Sequence, residues 1–111
     1  MIKINGKVIV NNHIYASSVW QKTVGLMFSK RLEDKALIFE FGKDVQHSFH
    51  MFFVFYPIDI IFLDKYFIVV DKKSNFVPFS CHKPKQKFRY AIELPNNKAR
   101  EIKINDKVLI Q

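Results

Sequence analysis

Two carboxylates in this chain sit where a charge is hardest to keep. Asp59 interrupts the apolar run Ile58-Asp59-Ile60-Ile61-Phe62-Leu63, and Glu93 lies inside Ala91-Ile92-Glu93-Leu94. If both segments are strands, alternate side chains share a face, and Asp59 falls on the side of Ile61 and Leu63. On an interior face a carboxylate must accept hydrogen bonds, pair with a cation or take up a proton. Each acid can therefore be a separate structural anchor that ties down backbone amides beside a turn. Alternatively, the two converge on one site, as a binding pair or as an acid and a base. A hydrolase-like reading needs them about 5–10 Å apart across a cleft.

A second pattern is basic. Lys83, Lys85, Lys87 and Arg89 alternate, so an extended chain places all four on one face, with Phe88 and Tyr90 on the other. Such a face suits phosphates, and basic residues beside aromatics suit single-stranded nucleic acid. The same pattern, with Pro84 inside it, also suits a solvated edge strand that resists pairing with other chains. Eighteen Lys and Arg stand against ten Asp and Glu, a net charge of +8. That balance favours anionic partners, and it favours solubility equally.

Other chemistry has little support. His47 and His50 are three apart and Cys81 is next to His82, but no paired CxxC or HxxxH spacing marks a metal site. Neighbours on a strand point to opposite faces, which argues against a Cys81–His82 nucleophile pair. There is no GxSxG, no P-loop and no dinucleotide fingerprint. No metal and no cofactor is expected. The aromatic cluster Phe49, Phe52, Phe53, Phe55 and Tyr56 is dense for one small core. It serves either as core or, in part, as a patch for a ligand or a second subunit.

These residues must be held by short strands. Ile2 to Val10 reads as a hairpin turning at Asn5-Gly6. His13 to Ala16, Ala36 to Phe41, Phe49 to Tyr56, Ile58 to Leu63, Tyr66 to Val70, Phe76 to Phe79, Phe88 to Leu94, Ile102 to Ile104 and Val108 to Ile110 read as strands or parts of them. Gly42 to Ser48 reads as a loop and Lys72 to Asn75 as a turn. Lys98 to Glu101 has the length of one helical turn. The spacing predicts one helix over 17–27, capped by Ser17 or Ser18, with Val19, Trp20, Thr23, Val24 and Met27 on one face. About eight to nine short strands with one short helix make a mainly β sandwich or barrel.

The length of 111 residues predicts a single domain over 1–111. One cysteine permits no internal disulfide and fits a reducing compartment. The N-terminus lacks the apolar core of a signal peptide. The run Val45 to Ile58, free of Lys, Arg, Asp and Glu, is shorter than the ~20 residues of a spanning helix. A soluble cytoplasmic protein without a membrane span is expected, as a monomer or weak homodimer.

The motifs also form an ordered set. Gly25-Leu26-Met27-Phe28, Ala36 to Phe41, His50-Met51, Pro57 to Asp64, Ile92-Glu93-Leu94 and Asn105-Asp106-Lys107-Val108 follow one another along nearly the whole chain. In order and spacing the set resembles the prokaryotic domain-of-unknown-function family one-nine-two. The resemblance implies a compact jelly-roll-like β-sandwich with one short helix and no agreed activity. Its pattern falls on Gly25, Leu26, Met27, Met51, Pro57, Asp59, Glu93 and Asp106. Where the family has an aromatic, Met, a basic residue and Asn, this chain has His50, Met51, Phe52 and Phe53. The expectation is a non-enzymatic binding or accessory domain, its pocket near His50, Met51, Asp59 and Glu93, with Phe52 and Phe53 beside it. The ligand would be a small molecule or a partner chain. A nucleic-acid module on Lys83 to Arg89 and a hydrolase-like enzyme on Asp59 and Glu93 are the rivals.

Overall fold

The first hairpin forms where two residues tolerate a left-handed backbone. Strands β1 (Ile2–Ile4) and β2 (Lys7–Val10) are joined by Asn5 at φ 54° and Gly6 at φ 76°. Positive φ at both central positions is the type I′ geometry, whose twist matches that of the strands it links. The computed structural model describes residues 1–16, 34–46, 48–50 and 56–111. The helix expected over 17–27 lies outside them.

Eight further strands are described: β3 (Asn12–Ala16), β4 (Lys35–Val45), β5 (Phe49–His50), β6 (Ile58–Leu63), β7 (Val69–Phe76), β8 (Cys81–His82), β9 (Phe88–Pro95) and β10 (Val108–Ile110). They build a three-stranded sheet in the order β10-β1-β2, a five-stranded sheet in the order β3-β4-β9-β6-β7, and a two-stranded ribbon of β5 and β8. The β3–β4 pair is parallel and every other pair is antiparallel. The protein is mainly β, as its spacing of apolar runs predicts.

Alternation along the strands splits the core in two. Ile61 and Leu63 of β6, Ile92 and Leu94 of β9, and Ala36 and Ile38 of β4 meet Ile2, Ile4, Val10 and Val108 of the three-stranded sheet. The opposite face of the large sheet carries Ile58, Ile60 and Phe62 of β6, with Phe39, Tyr56, Phe76, Phe88 and Ala91. All six residues of β6 are buried, because it lies between β9 and β7 and both of its faces are covered. Each such Ile, Leu or Phe contributes roughly 2 kcal/mol relative to exposure.

Several local expectations are corrected. Lys72 to Asn75 is strand rather than turn, part of β7 at the sheet edge. An edge strand tolerates charged side chains because they reach solvent, so polarity alone misleads there. Gly42 to Val45 continues β4 instead of looping, with an irregular register between Glu40 and Val45. Tyr66 and Phe67 form a turn, not a strand. Asp64 Oδ1 accepts the amides of Tyr66 at 2.8 Å and Ile68 at 3.0 Å, and Phe67 adopts φ 64°. Lys98 to Glu101 is a succession of turns, and Ile102 to Ile104 pairs with none of the described strands.

Candidate functional site

Asp59 answers a local defect in its own sheet. From Ile58 to Ile60 the partner strand β7 advances three residues, Phe76 to Lys73, which is one residue too many. Such a bulge leaves a backbone amide without a ladder partner. Asp59 Oδ1 accepts that amide, Asn75 N, at 2.8 Å. Its Oδ2 accepts Ala99 N at 2.8 Å, a residue 40 positions away in the turns after β9. The side chain is fully buried and both oxygens are engaged. Lys72 supports the same segment from β7, its Nζ donating to Ala99 O at 3.1 Å.

Glu93 occupies the middle of β9, between Leu37 of β4 and Ile60 of β6. Only 8% of it is exposed, and its Oε2 has no hydrogen-bond partner among the described residues. Burial pushes its carboxyl up to about 8. At neutral pH the group is therefore mostly a neutral acid, able to donate a hydrogen bond.

The two carboxylates do not meet. Asp59 stands opposite Leu94, and Leu94 belongs to the cluster between the sheets. Glu93 stands opposite Ile60, which belongs to the cluster on the other face. Cross-strand partners point the same way, so the sheet itself separates the two acids. A shared pocket and an Asp59–Glu93 acid–base pair are both excluded by this register.

The β5–β8 ribbon lies on the Glu93 side. The His82 ring of β8 is 5.7 Å from Phe62 and 6.3 Å from Phe76, both on that face. His82 Nε2 is 3.5 Å from Asp71 Oδ2, an ion-pair distance without hydrogen-bond geometry. His50 belongs to β5, where it is paired with Cys81. Met51, Phe52 and Phe53 lie outside the described residues.

The basic stripe loses its premise. The chain bends at Lys85 and Gln86, so Lys83, Lys85 and Lys87 are exposed but not in one extended row with Arg89. Arg89 is engaged by Asp44, with Nε at 3.2 Å and Nη2 at 3.1 Å from Oδ1. The Lys85 amide is held by Asp71 Oδ2 at 3.1 Å.

Sequence reasoning passed over a cleft of about 350 Å³ between the first hairpin and the turns at 97–102. Lys7, Lys98, Arg100 and Glu101 are among its lining residues. A pair of cations just after Pro95-Asn96-Asn97 is the one hint in the sequence; nothing in it brings Lys7 to Glu101, 94 positions apart. Among the described residues, no group of three or more His, Cys, Asp or Glu is placed to hold a metal, and no helix is long and apolar enough to cross a membrane.

Comparison with known proteins gives a consistent answer. The family described as Uncharacterized ACR, DUF192, matches residues 1–110. A UPF0127 protein of Pyrococcus horikoshii is 36% identical over 88 residues, covering 79% of this chain and 76% of the relative. A UPF0127 protein of Thermococcus sibiricus is 35% identical over 95 residues, covering 84% of this chain and 60% of that longer relative. A crystal structure of a protein of unknown function from Novosphingobium aromaticivorans superposes with a TM-score of 0.81 at 25% identity, over 88% of this chain and 74% of that one. A putative transcription regulator from Sinorhizobium meliloti also reaches 0.81, at 20% identity, over 87% and 79%, a likeness of fold alone.

Proposed function

This chain belongs to the uncharacterised family DUF192, and from that premise we propose a non-enzymatic binding or accessory domain that meets its ligand on the Glu93 face. The observation that carries the reading is the buried, unpartnered Glu93 Oε2. An unsatisfied buried polar group costs about 1–3 kcal/mol, which an apolar residue in the same place would avoid. Strained or unsatisfied groups of this kind concentrate where function opposes stability. Glu93 is also rigidly carried, on the strand between β4 and β6, as a recognition group should be.

His50, on β5, remains a candidate partner for this site because β5 pairs with β8, which lies on the Glu93 side; Met51, Phe52 and Phe53 stay candidates on the sequence alone. Asp59 leaves the ligand set and becomes a positioning residue. The ligand is a small molecule or a partner chain that offers an acceptor to the neutral Glu93 acid or a cation to its ionised form. A reducing cytoplasm is the proposed compartment, because the single Cys81 is exposed and free.

The test is a substitution that removes function while helping the fold. Glu93→Leu is expected to unfold at higher urea than wild type and to lose every ligand-induced thermal shift found for wild type across a panel of amines, acids and neutral metabolites. A Glu93→Leu protein less stable than wild type, or one that keeps those shifts, overturns the reading.

A further inference from the structure

The cleft beside the first hairpin has a different chemistry from the Glu93 face. We propose that it is a second binding site, for a small phosphate-bearing anion held by Lys7, Lys98 and Arg100. Ala99 is fully buried in the core between the sheets, so its neighbours Lys98 and Arg100 are thrown outward into the cleft. The segment is fixed from behind at that residue. Asp59 Oδ2 accepts the Ala99 amide at 2.8 Å, and Lys72 Nζ donates to the Ala99 carbonyl at 3.1 Å. The two cations therefore project from a backbone already tied to β6 and β7, so little ordering is left to the ligand.

Cations outnumber anions along the cleft. Three cations face one anion, Glu101, giving 3 − 1 = +2 at its walls. Lys98 and Arg100 have no ion-pair partner among the described residues. Lys7 meets Glu101 at 3.2 Å, but those side chains are 70% and 81% exposed, so a ligand can displace that contact easily. Asp34, the other acid near Lys98, is already bound by Asn11 through both carboxylate oxygens, at 2.9 and 2.8 Å. A planar Arg fork flanked by two Lys point charges suits a phosphate. The volume, about 350 Å³, lies at the lower end of the ~300–1,000 Å³ usual for small-molecule pockets. Ile4, Ile9 and Ile102 add an apolar wall for an organic portion.

The experiment is a backbone amide NMR titration of the whole chain with inorganic pyrophosphate and, separately, with AMP, each at ionic strength matched by NaCl. Expected are saturable shifts centred on residues 5–9 and 97–102. The double variant Lys98→Gln/Arg100→Gln should lose at least about tenfold in affinity, whereas Lys83→Gln/Lys85→Gln/Lys87→Gln should match wild type. Tighter binding of AMP assigns an organic phosphate, and tighter binding of pyrophosphate a free polyphosphate; either supports the site. Shifts reproduced by NaCl, shifts spread over all lysines, or undiminished binding by the double variant overturn it. Tighter binding of a single-stranded oligonucleotide, with shifts reaching Lys83 to Lys87, overturns it in favour of a nucleic-acid surface.

Discussion

Asp59 and Glu93 look alike in the sequence, each a carboxylate embedded in an apolar strand, and the fold treats them in opposite ways. Asp59 faces the gap between the two larger sheets, where a β-bulge and a buried turn both present amides to it. Glu93 faces the other side of the same sheet, where its Oε2 has no hydrogen-bond partner among the described residues. A buried carboxylate that accepts two backbone N–H groups holds a fold together. One with a buried oxygen left unsatisfied weakens it and leaves that oxygen available to something from outside. What matters is the supply of donors on each face, not the hydrophobicity of the flanking residues.

The largest effect should come from removing the anchor. Asp59→Ala strands two backbone amides and should cost on the order of 4 kcal/mol in urea unfolding; Asp59→Asn, which keeps one acceptor, should cost about half as much. A loss below ~1 kcal/mol for Asp59→Ala would break the contrast at once. Glu93→Leu should move stability the other way, by about 2 kcal/mol at neutral pH, measured in the same urea experiment.

The pH dependence sharpens the contrast further. The Glu93 carboxyl titrates near 8 in the folded protein and from a value of 4.5 without burial. Between those values the folded state holds a proton that the unfolded state has released. Stability is therefore fully present below 4.5 and falls as pH rises towards 8, by up to about 1.4 kcal/mol per pH unit from this group. Urea midpoints of wild type and Glu93→Leu at several pH values should converge at acid pH and separate towards pH 8.

Smaller changes test how the anchor works. Lys72→Met removes the donor to Ala99 O and should cost about 1 kcal/mol. A loss equal to that of Asp59→Ala would mean that Lys72, not Asp59, holds the turns. Lys7→Ala should change stability by less than ~0.5 kcal/mol, since its ion pair with Glu101 is exposed.

Much of the strand framework is legible in the amino-acid sequence. Asn5-Gly6 demands a tight turn by its own backbone preferences, and the period of two in Ile58 to Leu63 assigns side chains to faces without reference to a partner. The failures share one cause. Lys72 to Asn75 is polar enough to read as a turn but is held as an edge strand by β6. The Lys83 to Arg89 stripe alternates correctly, but the chain bends at Lys85 and Gln86, and Asp44, 45 positions before Arg89, claims its guanidinium. The candidate sites are half visible in the same way: both acids stand out by type, but their partners do not.

Local chemistry thus determined on its own that the chain is mainly β, where its tightest turn falls, and which two acids need an explanation. Those properties depend on near neighbours and on backbone geometry, both of which are written into short stretches of residues. Tertiary structure alone decided that Asp59 finds two amides, that Glu93 Oε2 finds no partner among the described residues, and that Lys7 joins Lys98 and Arg100 around one cleft. Each of these depends on strand register between distant segments. A shift of one residue in the β6–β9 pairing would turn one acid to the other face, and no local pattern fixes that pairing.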